Sequence, residues 1–106
     1  NMAFKMKAPY EIDNTPVYRA PFEDGHTHGV TLLNGAIVLN EDLPHEKEDV
    51  TVSHEKVHVE QIKDGRFCWN DEWVYWEGKW YDRSKIKEGD KNLPWEKEAY
   101  AKEKKV

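Results

Sequence analysis

The chain has 106 residues, a formal net charge of −5, and 35% charged and 12% aromatic residues. This length fits one domain spanning residues 1–106, and five Trp, five Tyr and three Phe supply enough apolar area to exclude a fully disordered chain. The acidic balance argues against a nucleic-acid or membrane partner, and one cysteine excludes an intramolecular disulfide and a Cys-rich zinc module.

No apolar run approaches the roughly 18 residues that a membrane span needs. No signal-peptide pattern opens the chain either, so we expect a cytoplasmic protein. Asn1 before Met2 leaves open that a leader has been removed.

Residues 1–29 contain three prolines and two glycines, which predicts an extended lead-in with one short strand. Next, two apolar, β-branched runs flank Asn34-Gly35, a pair that tolerates positive φ and is the strongest short hairpin signal. We therefore expect a β-hairpin over residues 29–40.

A helix is predicted from about residue 44 to 63. Pro44 suits the first helical turn, and Gly65 is a good C-terminal cap. The interior is rich in β-branched residues, which weakens the helix propensity, but the spacing of residues 54, 58, 61 and 62 fits one buried helical stripe.

Residues 66–83 are rich in aromatic residues, and the segment Glu77-Gly78-Lys79 between two aromatic runs predicts a second hairpin or tight loop. Cys68 is interpreted as a small buried hydrophobe. A last helix should begin near Pro94 with Asn92 as its cap, and residues 101–106 should form a frayed, solvated end. The tryptophans are interpreted mainly as core or as a groove wall: Trp69, Trp73, Trp76, Trp80 and Trp95.

The chemistry is concentrated in an HExxH match. On a helix, His54 and His58 project from the same face, so both imidazoles can reach one Zn²⁺ ion. Glu55 lies beside the open side of that ion, where it can take a proton from water and deliver it to a leaving amine. The sequence therefore predicts a catalytic zinc site in which Glu55 is the base.

A catalytic zinc needs a third protein ligand, and the last helix offers Glu96 and Glu98. We prefer Glu96, because a ligand on a second helix requires close approach of the two helices. Ala99 is a small residue three positions after Glu96 and so lies on the same face, whereas Glu98 points about 100° away from Ala99.

The motif at 54–61, together with Leu-Pro-Trp-Glu-Lys-Glu-Ala-Tyr at 93–100, resembles the gluzincin zinc metallopeptidases, and more narrowly small bacterial and phage domains of the HExxHxxQ type with a downstream Glu-x-x-Ala helix. The resemblance implies that His54, His58 and Glu96 bind zinc and that Glu55 is the general base. It also implies an edge strand for the substrate, which we place at residues 37–40.

The chain departs from that pattern at Tyr100, where many gluzincins carry an Asp that orients a zinc-bound His. Gln61 could hydrogen-bond the Nδ1–H of a ligand histidine, brace the C-terminal helix, or simply be a polar residue at the core edge. His26 and His28 are interpreted as surface-loop residues, with an extra ligand or a transition-state donor as the alternative. Four residues are candidate oxyanion stabilisers, with core packing or surface charge as their alternative roles: Tyr75, Tyr81, Arg83 and Tyr100.

Together these features predict an α+β fold, with a short, mostly antiparallel sheet packed on the HExxH helix and a C-terminal helix, as in a minimal zincin. The predicted function is zinc-dependent hydrolysis of a peptide or protein substrate. Two alternatives remain at this point. One is a catalytically silent zinc-binding structural or interaction domain, and the other is a metal-free protein-interaction module that uses the aromatic surface.

Overall fold

A computed structural model describes residues 10–12 and 14–104 of the chain. They form two sheets, a central helix and a C-terminal helix, which confirms the predicted α+β class. Within this described part, no helix combines the length and the apolar character required to cross a membrane.

The first sheet has four strands: β1 (Tyr10–Ile12), β2 (Thr15–Ala20), β3 (Gly29–Thr31) and β4 (Ile37–Asn40). Their order in the sheet is β1-β2-β4-β3, and only the β2–β4 pair is parallel. The lead-in thus contains two strands before residue 29, where the sequence predicted one.

The hairpin predicted over residues 29–40 is confirmed, because β3 and β4 pair antiparallel. Its turn is wider than a two-residue Asn-Gly turn. The Gly35 N–H donates to the Leu32 carbonyl at 2.9 Å, and Gly35 has a φ of 91°, whereas Asn34 keeps a negative φ. Only the glycine therefore uses its freedom to adopt positive φ here.

The assignment of residues 37–40 as an open edge strand is wrong. Strand β4 lies between β2 and β3, and all four of its residues are buried. An uninterrupted apolar run such as Ile37-Val38-Leu39 is typical of a strand covered on both faces, which explains the central position. The strand at this edge of the sheet is β3, and β1 lies at the opposite edge.

The motif helix α1 (Glu48–Lys63) follows a short 3₁₀ turn (His45–Lys47), which confirms the helix predicted for residues 44–63. It ends in a Schellman motif: Gly65 has a φ of 74°, its N–H donates to the Ile62 carbonyl, and the next N–H donates to the Gln61 carbonyl. Gly65 therefore acts as the C-terminal stop expected from the sequence.

The second sheet is an antiparallel β5-β6-β7 meander of β5 (Phe67–Trp69), β6 (Trp73–Trp76) and β7 (Lys79–Asp82). Glu77 and Gly78 have φ values of 47° and 90° and form the two-residue turn of the predicted hairpin. Cys68 is exposed, so its interpretation as a buried residue is wrong. Alternation along β5 turns Phe67 inward and therefore Cys68 outward.

Helix α2 (Pro94–Lys102) begins where the sequence predicted, but its cap is Leu93 and not Asn92. Pro94 occupies the first helical position, which leaves the residue before it as the cap. Beyond α2, Glu103 and Lys104 contact α1, although this segment was expected to fray; residues 105 and 106 lie outside the described residues.

Two apolar clusters lie on either side of the central helix. One combines the first sheet with α1: Val17, Ile37, Leu39, Leu43, Val52 and Val59. The other combines the second sheet with α2: Phe67, Val74, Trp76 and Trp95. Trp76 and Trp95 are buried, as predicted for the tryptophans, whereas Trp73 and Trp80 are 41% and 57% exposed. Helix α1 is thereby held between the clusters, with its histidines facing α2.

Candidate metal centre

His54, His58 and Glu96 converge on one point between the two helices. Their potential ligand atoms all lie within 4.8 Å of one another. Glu96 Oε1 is 3.0 Å from the Nε2 of His54 and 3.4 Å from the Nε2 of His58. Their side chains are only 12%, 6% and 16% exposed, respectively, so the cluster is shielded from solvent.

The remaining nitrogen of His54 faces a second carboxylate. Its Nδ1 lies 2.8 Å from Glu103 Oε1. Because an ionised carboxylate only accepts hydrogen bonds, the Nδ1–H of His54 donates to Glu103. The Nε2 of His54 lies on the other side of the ring, next to Glu96, and is the atom directed at the centre.

Gln61 determines the orientation of His58 in the same way. The Nε2 of Gln61 donates to the Trp95 carbonyl at 3.1 Å and to Glu98 Oε1 at 3.0 Å, so its Oε1 must face His58. The Nδ1–H of His58 donates to that oxygen at 2.8 Å, which directs its Nε2 to the centre. Gln61 thus fills both roles considered from the sequence: it orients a histidine and braces α2.

The electrostatics of the cluster favour positive charge at its centre. Burial alone would raise the pKa of Glu96, but hydrogen bonds to the two histidines lower the pKa to about 2. Burial lowers the pKa of His54 and His58, yet the bonds to Glu96, the bond of His54 to Glu103 and the negative charge of Glu55 outweigh burial, so both pKa values lie above the ordinary value. A cation between these groups would replace the protons that the arrangement attracts.

The alternative ligand, Glu98, is engaged elsewhere. It accepts hydrogen bonds from the Arg66 guanidinium at 3.0 and 2.7 Å and from Gln61. Arg66 is the main cause of its lowered pKa, which is about 2. The structure therefore brings Glu96 to the histidines and directs Glu98 to Arg66, as the spacing to the fully buried Ala99 suggested.

Glu55 lies beside the cluster and is 8% exposed. The hydroxyl of Thr31, on strand β3, donates to Glu55 Oε1 at 2.7 Å. Burial raises the pKa of Glu55, and this effect exceeds the opposing ones of His58 and Thr31. A carboxylate with a raised pKa is a stronger base than an exposed one, as proton abstraction near neutral pH requires.

A cleft gives access to the cluster between β3, the two helices and the loop after β7. Two adjoining cavities of about 470 and 540 Å³ make up this cleft, and both are bordered by Glu55, Glu96 and Gly29. The first has an aromatic wall that includes Phe67 and Trp69, whereas the second is bordered by His54 and several other polar groups.

The residues considered as an extra ligand or as donors to the oxyanion fall into two groups. His26 and His28 are far from the metal-site histidines in the sequence but border the second cavity. The His26 side chain is 89% exposed. Arg83 borders the first cavity, held by Glu88, and the Tyr100 ring packs edge-on against His54 with 4.5 Å between centroids. The other two tyrosines, Tyr75 and Tyr81, pack against tryptophans and border neither cavity. Arg83 and Tyr100 are therefore the two of the four candidates that border the cleft.

Two residues of the site were missed by the sequence analysis, Thr31 and Glu103. Glu103 lies seven residues after Glu96, which is two helical turns and hence the same face, so spacing could have indicated it. Nothing local marks Thr31, because its contact with Glu55 depends on how β3 docks on α1.

The donor set fits Zn²⁺. Two imidazole nitrogens and one carboxylate oxygen are common ligands of a catalytic zinc, which keeps a fourth position open. Tetrahedral ligands placed 2.0–2.1 Å from one ion lie about 3.3 Å from each other. The two nitrogen–oxygen separations, 3.0 and 3.4 Å, are hydrogen-bond distances that are compatible with shared coordination of one ion, and all three atoms lie within 4.8 Å of one another.

We compared the chain with protein-family models, with curated proteins and with solved structures, and none of them matches it. The function therefore has to be inferred from the chemistry of the site itself.

Proposed function

We propose that the protein is a gluzincin-like, zinc-dependent peptidase that hydrolyses a peptide bond. The observation that supports this proposal is the convergence of His54, His58 and Glu96 on one point beside the buried carboxylate of Glu55. In this proposal the three convergent side chains hold the metal, and the cleft admits the substrate.

A bound Zn²⁺ would supply Lewis acidity, which acidifies water and polarises a carbonyl. Glu55 accepts the proton of the attacking water and returns it to the leaving amine, so the carboxylate ends the cycle unchanged. Thr31 holds the carboxylate in place through its hydroxyl. Arg83 or Tyr100 provides a donor for the oxyanion, since both lie at the cleft.

The substrate is proposed to add as a strand to the open edge of β3. The His28 carbonyl and the Leu32 N–H bond toward the β4 side of the hairpin. By alternation, the backbone groups of Gly29 and Thr31 point to the opposite edge, which no other described strand occupies. An extended peptide can pair with those groups and lie across the cleft next to Glu55.

A catalytically silent zinc domain is the second candidate. It is supported by the position of the cluster, because His54 and His58 belong to α1 and Glu96 belongs to α2. A metal at this point would join the two helices of a small domain and stabilise the fold without any turnover.

The decisive experiment combines metal analysis with peptide cleavage, using protein purified without a histidine tag. E55Q should keep one zinc per chain and lose turnover at least 100-fold, whereas H58A should lose both. E60Q changes an exposed glutamate of the same helix and serves as the matched control. Zinc binding without cleavage of a diverse peptide library would support the silent domain, and absence of zinc would refute both proposals.

The cytoplasmic location and the peptide or protein nature of the partner stay predictions from the sequence.

A further inference from the structure

We propose that Glu103 is a positioning residue that orients His54 for metal binding. This inference rests on the proposed function only in that His54 binds a metal. It assigns to the segment just after α2 a role in the site, although that segment was expected from the sequence to be frayed.

The geometry of the imidazole supports this role. Glu103 Oε1 lies 2.8 Å from Nδ1 of His54, while Glu96 Oε1 lies 3.0 Å from Nε2 on the other side of the ring. The Glu103 side chain is only 18% exposed, so water competes weakly for this contact. Glu103 therefore keeps a proton on Nδ1, so that a metal at the centre would replace the proton that Nε2 directs at Glu96.

The backbone around Glu103 is held against α1. The Glu103 N–H donates to the Ala99 carbonyl at 2.9 Å, and its φ and ψ of −66° and 154° end the helix there. The next N–H, of Lys104, donates to the hydroxyl of Ser53 at 2.6 Å, and Ser53 immediately precedes His54. The first bond attaches Glu103 to α2, and the second attaches the next residue to α1. Together they place the Glu103 carboxylate next to the imidazole.

The two histidines are consequently held by different kinds of partner. His58 donates to the neutral amide of Gln61, whereas His54 donates to a carboxylate. A charged acceptor forms the stronger hydrogen bond and raises the basicity of the ring more. Loss of the Glu103 carboxylate should therefore weaken metal binding through His54.

The test is a zinc titration of the folded protein in competition with a chromophoric chelator. E103A should weaken zinc affinity about 10- to 100-fold, the usual effect of removing such an outer partner, and E103Q should recover only part of the loss because its amide oxygen still accepts the bond but carries no charge. K102A changes an exposed neighbour on α2 and should bind zinc like the unchanged protein.

A second measurement does not need any variant to fold. In ¹⁵N NMR spectra of the unchanged zinc-loaded protein, His54 should be the Nδ1–H tautomer, with an Nδ1 proton that exchanges slowly. A His54 ring protonated at Nε2 would overturn the inference, and so would an E103A protein whose melting temperature falls while its zinc affinity stays unchanged. In both cases the proposed function would stand. Failure of the unchanged protein to bind zinc would overturn both.

Discussion

Each side chain of the candidate site has a partner that restricts its orientation. Glu103 and Gln61 hold the two histidines, and Thr31 holds Glu55. A side chain locked in this way loses little conformational entropy when it binds a ligand. The precision of the site therefore resides in residues that would not themselves touch a metal.

Thr31 provides the first test of this arrangement. T31V removes the hydroxyl and leaves the buried carboxylate of Glu55 without its donor, so we expect a loss of about 1–3 kcal/mol in the free energy of unfolding. T31S keeps the hydroxyl and should lose much less. Urea-induced unfolding of the three proteins measures both effects, and equal stabilities of T31V and T31S would contradict the role of the hydrogen bond.

The structural elements meet at a few polar contacts as well as in the two apolar clusters. Gln61 is completely buried and links α1 to α2 through the Trp95 carbonyl and Glu98. Arg19 on β2 pairs with Glu48 in the first turn of α1, and Tyr10 on β1 donates to the same carboxylate. These contacts determine how α1 sits against its neighbours.

We expect Q61L to destabilise the protein by about 2–4 kcal/mol, because it leaves the Nδ1–H of His58 buried without its acceptor and removes the hydrogen bonds that link Gln61 to α2. Q61E keeps an acceptor for His58 but places a carboxylate against the Trp95 carbonyl and Glu98, so it should also be destabilised. Urea unfolding provides the measurement, with E60Q as the control. A stability of Q61L equal to that of the unchanged protein would show that Gln61 does not couple the helices.

The contacts of Glu48 predict a dependence of stability on pH. The hydrogen bond from Tyr10 is the main cause of its lowered pKa, and Arg19 adds to it, against the opposing effect of burial. A group with a lowered folded-state pKa stabilises the fold above its ordinary pKa of 4.5 and loses this contribution as the pH falls through the folded-state value. Stability from this contact should therefore decline below pH 4.5.

The variant that tests this is E48Q. At pH 7 it should be about 1 kcal/mol less stable than the unchanged protein, and the difference should shrink as the pH falls below the ordinary pKa of Glu48. Denaturant unfolding across a pH series measures the difference, and E46Q, which changes an exposed neighbour, is the matched control. A difference that stays constant with pH would exclude ionised Glu48 as its cause.

At the scale of the described residues, two sheets and two α-helices form two apolar clusters, and α1 contributes side chains to both, Val52 and Val59 to one and Ile62 to the other. The candidate centre lies where α1 and α2 meet, so a ligand there would bind only the folded chain. Binding of this kind raises the free energy of unfolding by mass action.

Zinc at 100 times its dissociation constant should stabilise the protein by about 2.7 kcal/mol, which corresponds to a rise of about 10–20 °C in melting temperature for a domain of this size. A chelator should reverse the rise, and the double variant H54A–H58A should show none. Differential scanning calorimetry with and without zinc provides the measurement. An equal rise in the double variant would place the zinc at other residues.

Local features of the sequence determined the two hairpins, the motif helix and its end at Gly65, because turns and caps depend on residues next to each other in the chain. They also placed His54 and His58 on one face, since residues four apart on a helix always share a face. Long-range docking decided what lies opposite that face. It put β3 and not β4 at the sheet edge, turned Cys68 to the solvent, and brought Thr31 and Glu103 to the histidine motif. These contacts join residues 24 or more positions apart, so they follow from how the elements pack and are not encoded in any short segment.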